Sequence, residues 1–113
     1  GSDGGVDGTH ASAEDAKKIA RSRMKAYGWD DDDEYECLVR IWTRESGWRW
    51  NAENTSSGAY GIPQSLPGSK MASAGQDWRD NASTQIKWGL DYILQRYKTP
   101  CGAWAVWQTR NWY

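Results

Sequence analysis

One glutamate, Glu45, lies where a carboxyl group could act as a general acid. Leu38, Ile41, Trp42 and Glu45 recur at spacings of three and four residues, so Glu45 completes one face of a predicted helix that is otherwise apolar. Burial beside apolar side chains disfavours the charged carboxylate and raises its pKa, which suits an acid that must hold a proton near neutral pH. The alternative is a solvent-exposed glutamate at a helix end, which is the commoner situation for glutamate.

The segment that follows Glu45 has the composition of a loop that could surround the carboxyl group. Residues 50–64 contain many turn formers and small hydroxyl side chains. We expect an irregular segment or a short β-hairpin there, folded back over the end of the helix. Four rings could stack on sugar rings, since Trp and Tyr suit half-exposed surfaces: those of Trp48, Trp50, Tyr60 and the more distant Trp78. A plain packing role is the alternative for each of them.

Helices are predicted to position this loop and the acid. Their expected ranges are about 12–27, 32–46, 81–97 and from 99 onward, with a short helix near 69–74. Gly28 and Gly47 are expected to end the first two helices. Asp80 is expected to cap the third, and Thr99 with Pro100 to open the last. The helix at 81–97 has the strongest apolar periodicity and is the candidate central helix.

Length and charge indicate one small protein domain. The chain has 113 residues and a formal net charge of -1, so no basic surface argues for nucleic acid as a partner. No apolar run approaches the roughly 20 residues that cross a bilayer, so no membrane partner is expected. Residues 1–11 are interpreted as a linker or cloning remnant, expected to be disordered, and residues 12–113 as the domain. A monomer is expected.

Two cysteines, Cys37 and Cys101, make one disulfide possible. Such a bridge would close a long loop and stabilise the fold by about 4 kcal/mol if its geometry is unstrained. One bridge in a small aromatic domain favours an oxidising, extracytoplasmic compartment, with two buried free thiols as the alternative. Neither a zinc-binding pattern nor an EF-hand pattern is present, so no metal and no cofactor are expected.

Two motifs in this chain resemble those of the soluble lytic transglycosylase family. Residues 45–48, Glu-Ser-Gly-Trp, and residues 58–64, Gly-Ala-Tyr-Gly-Ile-Pro-Gln, are similar to the family's Glu-Ser pair and its later Gly-Ala-x-Gly-Leu-Met-Gln. Residues 81–93 are similar to the family's third segment. More closely, the chain resembles small secreted transglycosylase-like domains of Gram-positive bacteria, which are related to resuscitation-promoting factors and goose-type lysozymes.

The resemblance implies a mainly α-helical, lysozyme-like fold and a secreted, bacteriolytic enzyme that acts on peptidoglycan glycan strands of the cell wall. It implies that Glu45 is the sole catalytic acid/base and that the reaction produces 1,6-anhydromuramyl ends. It also makes Gln64 a cleft residue and places the family's substrate-aligning hydroxyl at Thr55 or Ser56, with Ser57 as a further substrate contact in the same loop.

The chain departs from the family pattern at two places. Pro63 stands where the family usually has Met, and the family's C-terminal Tyr-Asn pair has no counterpart. Two alternatives to a transglycosylase therefore stay open. A muramidase-type hydrolase needs a second carboxylate, for which Glu53 is the loop candidate, although a solvated loop position is its simpler interpretation. The other alternative is a catalytically silent wall-binding domain, which needs no catalytic carboxylate.

Overall fold

The computed structural model describes residues 8–110, which form a mainly α-helical domain as predicted. The helices are α1 (Ala13–Met24), α2 (Asp32–Ser46), α3 (Ala82–Tyr97) and α4 (Pro100–Arg110), with 3₁₀ helices at Lys25–Tyr27 and Gly68–Ser73. Between residues 8 and 110 the chain forms isolated β-bridges but no strand. None of the helices described is long and apolar enough to cross a membrane.

Several helix ends lie at the residues that local sequence rules indicate. Gly28 has φ 82° and Gly47 has φ 66°, a left-handed conformation that glycine adopts at little cost after a helix. The Thr99 hydroxyl accepts a hydrogen bond from the backbone N–H of Gly102 at 3.0 Å, so Thr99 caps the start of α4. The predicted ends of α2 and the predicted cap of α4 are confirmed.

The cap of α3 is Asn81, so the prediction of Asp80 was wrong by one residue. The Asn81 side chain accepts a hydrogen bond from the backbone N–H of Ser83 at 2.8 Å, and Asn81 has an extended backbone. Asp80 instead lies beside His10, whose Nε2 is 3.5 Å from its carboxylate. Both residue types are good caps, and Asn81 is the one whose side chain accepts a backbone N–H of the first turn.

The core is built around α3, which packs against α1, α4 and the 3₁₀ helix Gly68–Ser73. The fully buried side chains at its centre include Leu38, Ile41, Trp42, Ile62, Ile86, Leu90 and Ile93. Gly89 lets α3 meet the large ring of Trp42 on α2, since a Cβ at Gly89 would lie 2.5 Å from Cζ2 of that ring. The prediction that α3 is the central helix is consistent with this packing.

A disulfide joins Cys37 on α2 to Cys101 on α4, with the two Cα atoms 5.0 Å apart. The predicted pairing is confirmed, and the alternative of two free thiols is wrong. The carboxylate of Glu34 also accepts a hydrogen bond from the Cys101 backbone N–H at 3.0 Å. The start of α4 is therefore fixed to α2 by a covalent bond and a hydrogen bond.

The predicted linker needs a correction at residues 8–11, while residues 1–7 lie outside the described residues. The Gly8 carbonyl accepts the backbone N–H of Ala82 at 2.8 Å. The ring of His10 stacks on Trp50 with centroids 4.1 Å apart, and Ala11 is buried. This short segment belongs to the domain because its backbone pairs with the start of α3, a contact that composition does not indicate.

Candidate active site

Glu45 lies in the last turn of α2 and is half-buried. Burial raises the pKa of its carboxyl group above the ordinary value, although a hydrogen bond from Trp107 acts in the opposite direction. In that bond the indole Nε1–H of Trp107 donates to Oε2 of Glu45 at 2.9 Å. The predicted partly desolvated carboxyl group is therefore present, and it is held by a side chain of α4.

A groove with a volume of about 460 Å³ opens beside Glu45. Its walls come from the end of α2, the irregular loop, the second 3₁₀ helix and α3. The lining residues are Glu45, Asn54, Ser57, Ala59, Pro63, Gln64, Ser65, Leu66, Lys70, Trp88 and Tyr92. Glu45 is the one carboxylate among these described lining residues. A single acid faces a groove with one cation, several hydrogen-bonding side chains and two aromatic rings.

Ser46 attaches the loop to the end of α2. Its hydroxyl donates a hydrogen bond to the Ile62 carbonyl at 2.7 Å and accepts one from the Trp48 backbone N–H at 3.1 Å. Ser46 is itself buried. The serine that follows Glu45 therefore helps to place the loop against the helix end that carries the acid.

Gln85 on α3 attaches the loop from the other side. This fully buried side chain donates from Nε2 to the carbonyls of Trp50 at 3.0 Å and Trp78 at 2.8 Å. Its Oε1 accepts the Ile62 backbone N–H at 2.9 Å. Gly61 is required beside it, because a Cβ at Gly61 would lie 2.8 Å from that oxygen. One amide therefore satisfies backbone groups that the irregular segments would otherwise bury without partners.

Gln64 lines the groove as predicted, and it also supports the loop. Its Nε2 donates to the carbonyls of Ala52 at 3.0 Å and Gly61 at 2.9 Å. Because both amide hydrogens are engaged within the loop, the group that Gln64 can offer to a ligand is its side-chain carbonyl oxygen.

None of the four aromatic side chains considered for stacking on sugars lines this groove, and Trp48 takes the packing role that was its alternative. Trp48 is 1% exposed, packs edge-on against Trp42, and donates from Nε1 to the Val39 carbonyl at 3.2 Å. Both Gly47 and Trp48 have positive φ, 66° and 63°, so the chain reverses at the end of α2 and the indole enters the core.

Tyr60 and Trp78 form a separate packed cluster. The Tyr60 hydroxyl donates to the Arg79 carbonyl at 2.8 Å, and its ring meets that of Trp78 edge-on with centroids 5.8 Å apart. The Arg79 guanidinium lies over both rings. Gly68 packs against this cluster, since a Cβ there would lie 2.7 Å from the Cβ of Tyr60. These rings pack against one another and against Arg79, and they do not line the groove.

Among the loop hydroxyls, Ser57 lines the groove, whereas Thr55 and Ser56 do not. Thr55 and Ser56 are exposed in a turn whose backbone N–H groups at residues 56 and 57 donate to the Asn54 side chain. Neither hydroxyl lies at this groove, so a contact of Thr55 or Ser56 with substrate stays a prediction. Glu53 is also exposed and does not line the groove, in agreement with its simpler interpretation as a solvated loop residue.

Sequence reasoning missed several residues of the site, among them Asn54, Lys70, Trp88, Tyr92 and Trp107. Trp88 and Tyr92 are one turn apart on α3, and their rings stack with centroids 5.1 Å apart and an interplanar angle of 14°. Their spacing of four, off the apolar stripe of α3, was the available signal. For Trp107 the signal was the predicted disulfide, which brings α4 to α2.

No family model, curated protein or solved structure gives a significant match to this chain. The chemistry of the groove is therefore argued from its own residues. Within residues 8–110, no group of three or more histidine, cysteine, aspartate or glutamate side chains is placed to hold a metal ion.

Proposed function

We propose that this chain is a peptidoglycan lytic transglycosylase with a lysozyme-like fold and Glu45 as its single acid/base. The bond cleaved is the β-1,4 linkage between N-acetylmuramic acid and N-acetylglucosamine. The observation that carries the proposal is the half-buried carboxyl group of Glu45, the one acid among the described residues lining a groove of about 460 Å³. The resemblance of residues 45–48 and 58–64 to the transglycosylase motifs supports the same reaction.

The raised pKa of Glu45 suits the first step. The protonated carboxyl group gives its proton to the glycosidic oxygen as the bond from that oxygen to the anomeric carbon breaks. Trp107 donates to Oε2, so the proton for the substrate is best carried on Oε1. The neighbouring N-acetyl carbonyl oxygen of the substrate stabilises the positive charge that develops at the anomeric carbon.

A single acid also suits the second step. Ordinary retaining and inverting glycosidases need two carboxylates at defined separations, and the lining residues described here include one. In a transglycosylase the 6-hydroxyl of the same muramyl residue attacks the anomeric carbon and gives its proton to the Glu45 carboxylate. The acid is thereby regenerated, and the products are a 1,6-anhydromuramyl end and a free 4-hydroxyl group.

The remaining lining residues match a glycan strand. Trp88 and Tyr92 present aromatic surface to the groove, and Asn54, Ser57 and Gln64 present hydrogen-bonding atoms. Small-molecule sites commonly combine apolar surface with a few placed polar groups. The disulfide is consistent with action outside the cytoplasm, where the cell wall lies, because disulfides persist in oxidising compartments.

The test is digestion of purified peptidoglycan followed by mass spectrometry of the released fragments. The wild-type protein should release anhydromuropeptides, and Glu45→Gln should lower their rate of release by about 10²–10⁴-fold, the usual contribution of a general acid. Glu53→Gln is the matched control, since this exposed carboxyl group lies outside the groove and its loss should leave the rate unchanged.

Three results would contradict the proposal. If the Glu45→Gln variant cleaved peptidoglycan at the wild-type rate, Glu45 would be rejected as the acid. Reducing ends in place of anhydro ends would identify a muramidase-type hydrolase. Binding to wall fragments without any cleavage by the wild-type protein would identify a wall-binding domain.

A further inference from the structure

A second cavity, with a volume of about 230 Å³, lies next to the groove that contains Glu45. Trp88 and Tyr92 line both cavities. Their stacked rings are therefore a wall that the two cavities share. A ligand that fills the groove and continues past this wall enters the second cavity.

The second cavity follows one face of α3. Lys87, Asp91 and Gln95 line it at successive spacings of four residues, and Ser73 lines it from the end of the second 3₁₀ helix. Residues four apart are neighbours on a helix surface, and each step along the axis is about 6 Å. The cavity therefore offers a row consisting of a cation, an anion and an amide, with a hydroxyl opposite.

The anion of this row is held in place. The Tyr27 hydroxyl donates to Oδ1 of Asp91, while Oδ2 of the same carboxylate is 3.2 Å from Nζ of Lys87. The Lys87 and Asp91 side chains are 47% and 39% exposed, and an ion pair this exposed contributes little stability. A ligand with its own charges can therefore exchange with the pair, while Tyr27 keeps the carboxylate oriented.

We infer that the second cavity binds the stem peptide carried by N-acetylmuramic acid, with Asp91 receiving an ammonium group of that peptide and Lys87 a carboxylate. This inference rests on the proposed function, because it takes peptidoglycan as the ligand of the adjoining groove. The glycan backbone carries no ammonium group, so without the peptide nothing on the strand pairs with Asp91. A peptide uses both charges, and its amide groups match the Gln95 side chain and the Ser73 hydroxyl.

The test measures binding in the Glu45→Gln background, so that cleavage does not consume the ligand. The two ligands are short glycan strands with intact stem peptides and the same strands after an amidase has removed the peptides. The peptide-bearing strands should bind more tightly, and Asp91→Asn should weaken their binding by about three- to fivefold, as expected for one half-exposed charge pair. Asparagine keeps an oxygen that accepts the Tyr27 hydroxyl, so the substitution removes the charge alone.

Glu36→Gln is the matched control. Glu36 forms the same kind of ion pair, with Arg40 at 3.3 Å and four residues away, but it lines neither cavity. Its substitution should leave the preference for peptide-bearing strands unchanged. Lys87→Gln provides a second variant should Asp91→Asn fail to fold, and it should reduce the same preference.

Equal affinity for the two kinds of strand in the Glu45→Gln protein would overturn the inference. An undiminished preference in both Asp91→Asn and Lys87→Gln would overturn it as well. These outcomes are separate from the test of the proposed function. If the wild-type protein cleaved no strands and still bound peptide-bearing strands more tightly, the transglycosylase proposal would be rejected. The stem-peptide site would be retained.

Discussion

The indole N–H of Trp107 donates a hydrogen bond to Oε2 of Glu45 over 2.9 Å, although the two residues are 62 positions apart in the chain. The Arg44 guanidinium lies over the Trp107 ring, 5.4 Å from its centroid, and Trp104 stacks on the Trp107 indole. The proposed acid is therefore positioned by a cluster that belongs mainly to α4, the helix that the disulfide fixes to α2.

Replacement of Trp107 by phenylalanine should move the pH–rate profile of glycan cleavage. The hydrogen bond lowers the pKa of Glu45, so its loss should raise that pKa further. A general acid works while it is protonated, and activity is lost as pH rises through its pKa; the alkaline limb should therefore shift to higher pH. The rate of anhydromuropeptide release, measured across pH, tests this.

Trp104→Phe is the control for the Trp107 experiment. The Trp104 ring stacks on the Trp107 ring, with the centroids 5.6 Å apart. Loss of the Trp104 indole therefore perturbs packing without removing the hydrogen bond from Trp107 to Glu45. A profile that shifts equally in both variants would attribute the effect to packing.

Glu45→Gln should make the protein more stable than wild type at neutral pH. Burial raises the pKa of the folded-state carboxyl group, so the folded state binds its proton more tightly than the unfolded state does. The contribution of this group to stability is complete below the unfolded-state pKa and is lost as pH rises through the folded-state pKa. Urea unfolding of both proteins from acidic to neutral pH should show a difference that grows with pH.

A difference between Glu45→Gln and wild type that is constant over this pH range would contradict the prediction. Such a result would attribute the stability difference to the amide group of glutamine and not to ionisation of Glu45. The Trp107 indole can donate to the glutamine carbonyl as it does to the carboxylate, so the hydrogen bond is retained in the comparison.

Gly89→Ala should destabilise the fold by about 1–3 kcal/mol, the usual cost of an overpacked core. The added methyl group would lie 2.5 Å from Cζ2 of Trp42 and 3.0 Å from Cβ of Pro63. Denaturant unfolding measures the change. The cost should fall in a Trp42→Phe background, which removes the colliding part of the ring, and an unchanged cost there would point away from this contact.

Gln85→Leu should destabilise the fold by at least about 3 kcal/mol, because several buried backbone groups lose their partner at once. The groups affected are the Ile62 amide and the carbonyls of Trp50 and Trp78. Hydrogen exchange should show faster exchange at the Ile62 amide. Normal stability with normal protection of that amide would contradict the role assigned to Gln85.

The helices and the position of Glu45 could be predicted because the signals are local. The stripe that ends at Glu45, the glycine after α2 and the Thr99 cap each depend on residues within two turns of one another. For these helix features, short-range spacing and backbone conformation decide the outcome. The expectation that Gln64 lines the groove came instead from the resemblance of residues 58–64 to the transglycosylase motif.

The aromatic residues could not be assigned in the same way. Trp48 was expected in the groove and lies in the core, whereas Trp88 lines the groove. The direction of the Trp48 indole follows from a positive φ of 63°, which a non-glycine residue rarely adopts and which composition does not indicate. The role of Trp107 depends on how α4 packs on α2, which is a long-range contact. In the sequence, the Cys37–Cys101 pair was the signal for that contact.

The bridge between Cys37 and Cys101, 64 positions apart, makes a covalent ring of the chain between them. Every lining residue of the groove, from Glu45 to Tyr92, belongs to that ring. If a protease nicks the exposed turn at residues 55–57, the two fragments stay tethered, and the buried contacts of Ser46 and Gln85 can keep the cleaved ends in register. The bridge thus protects the architecture of the groove against a single break in this exposed turn.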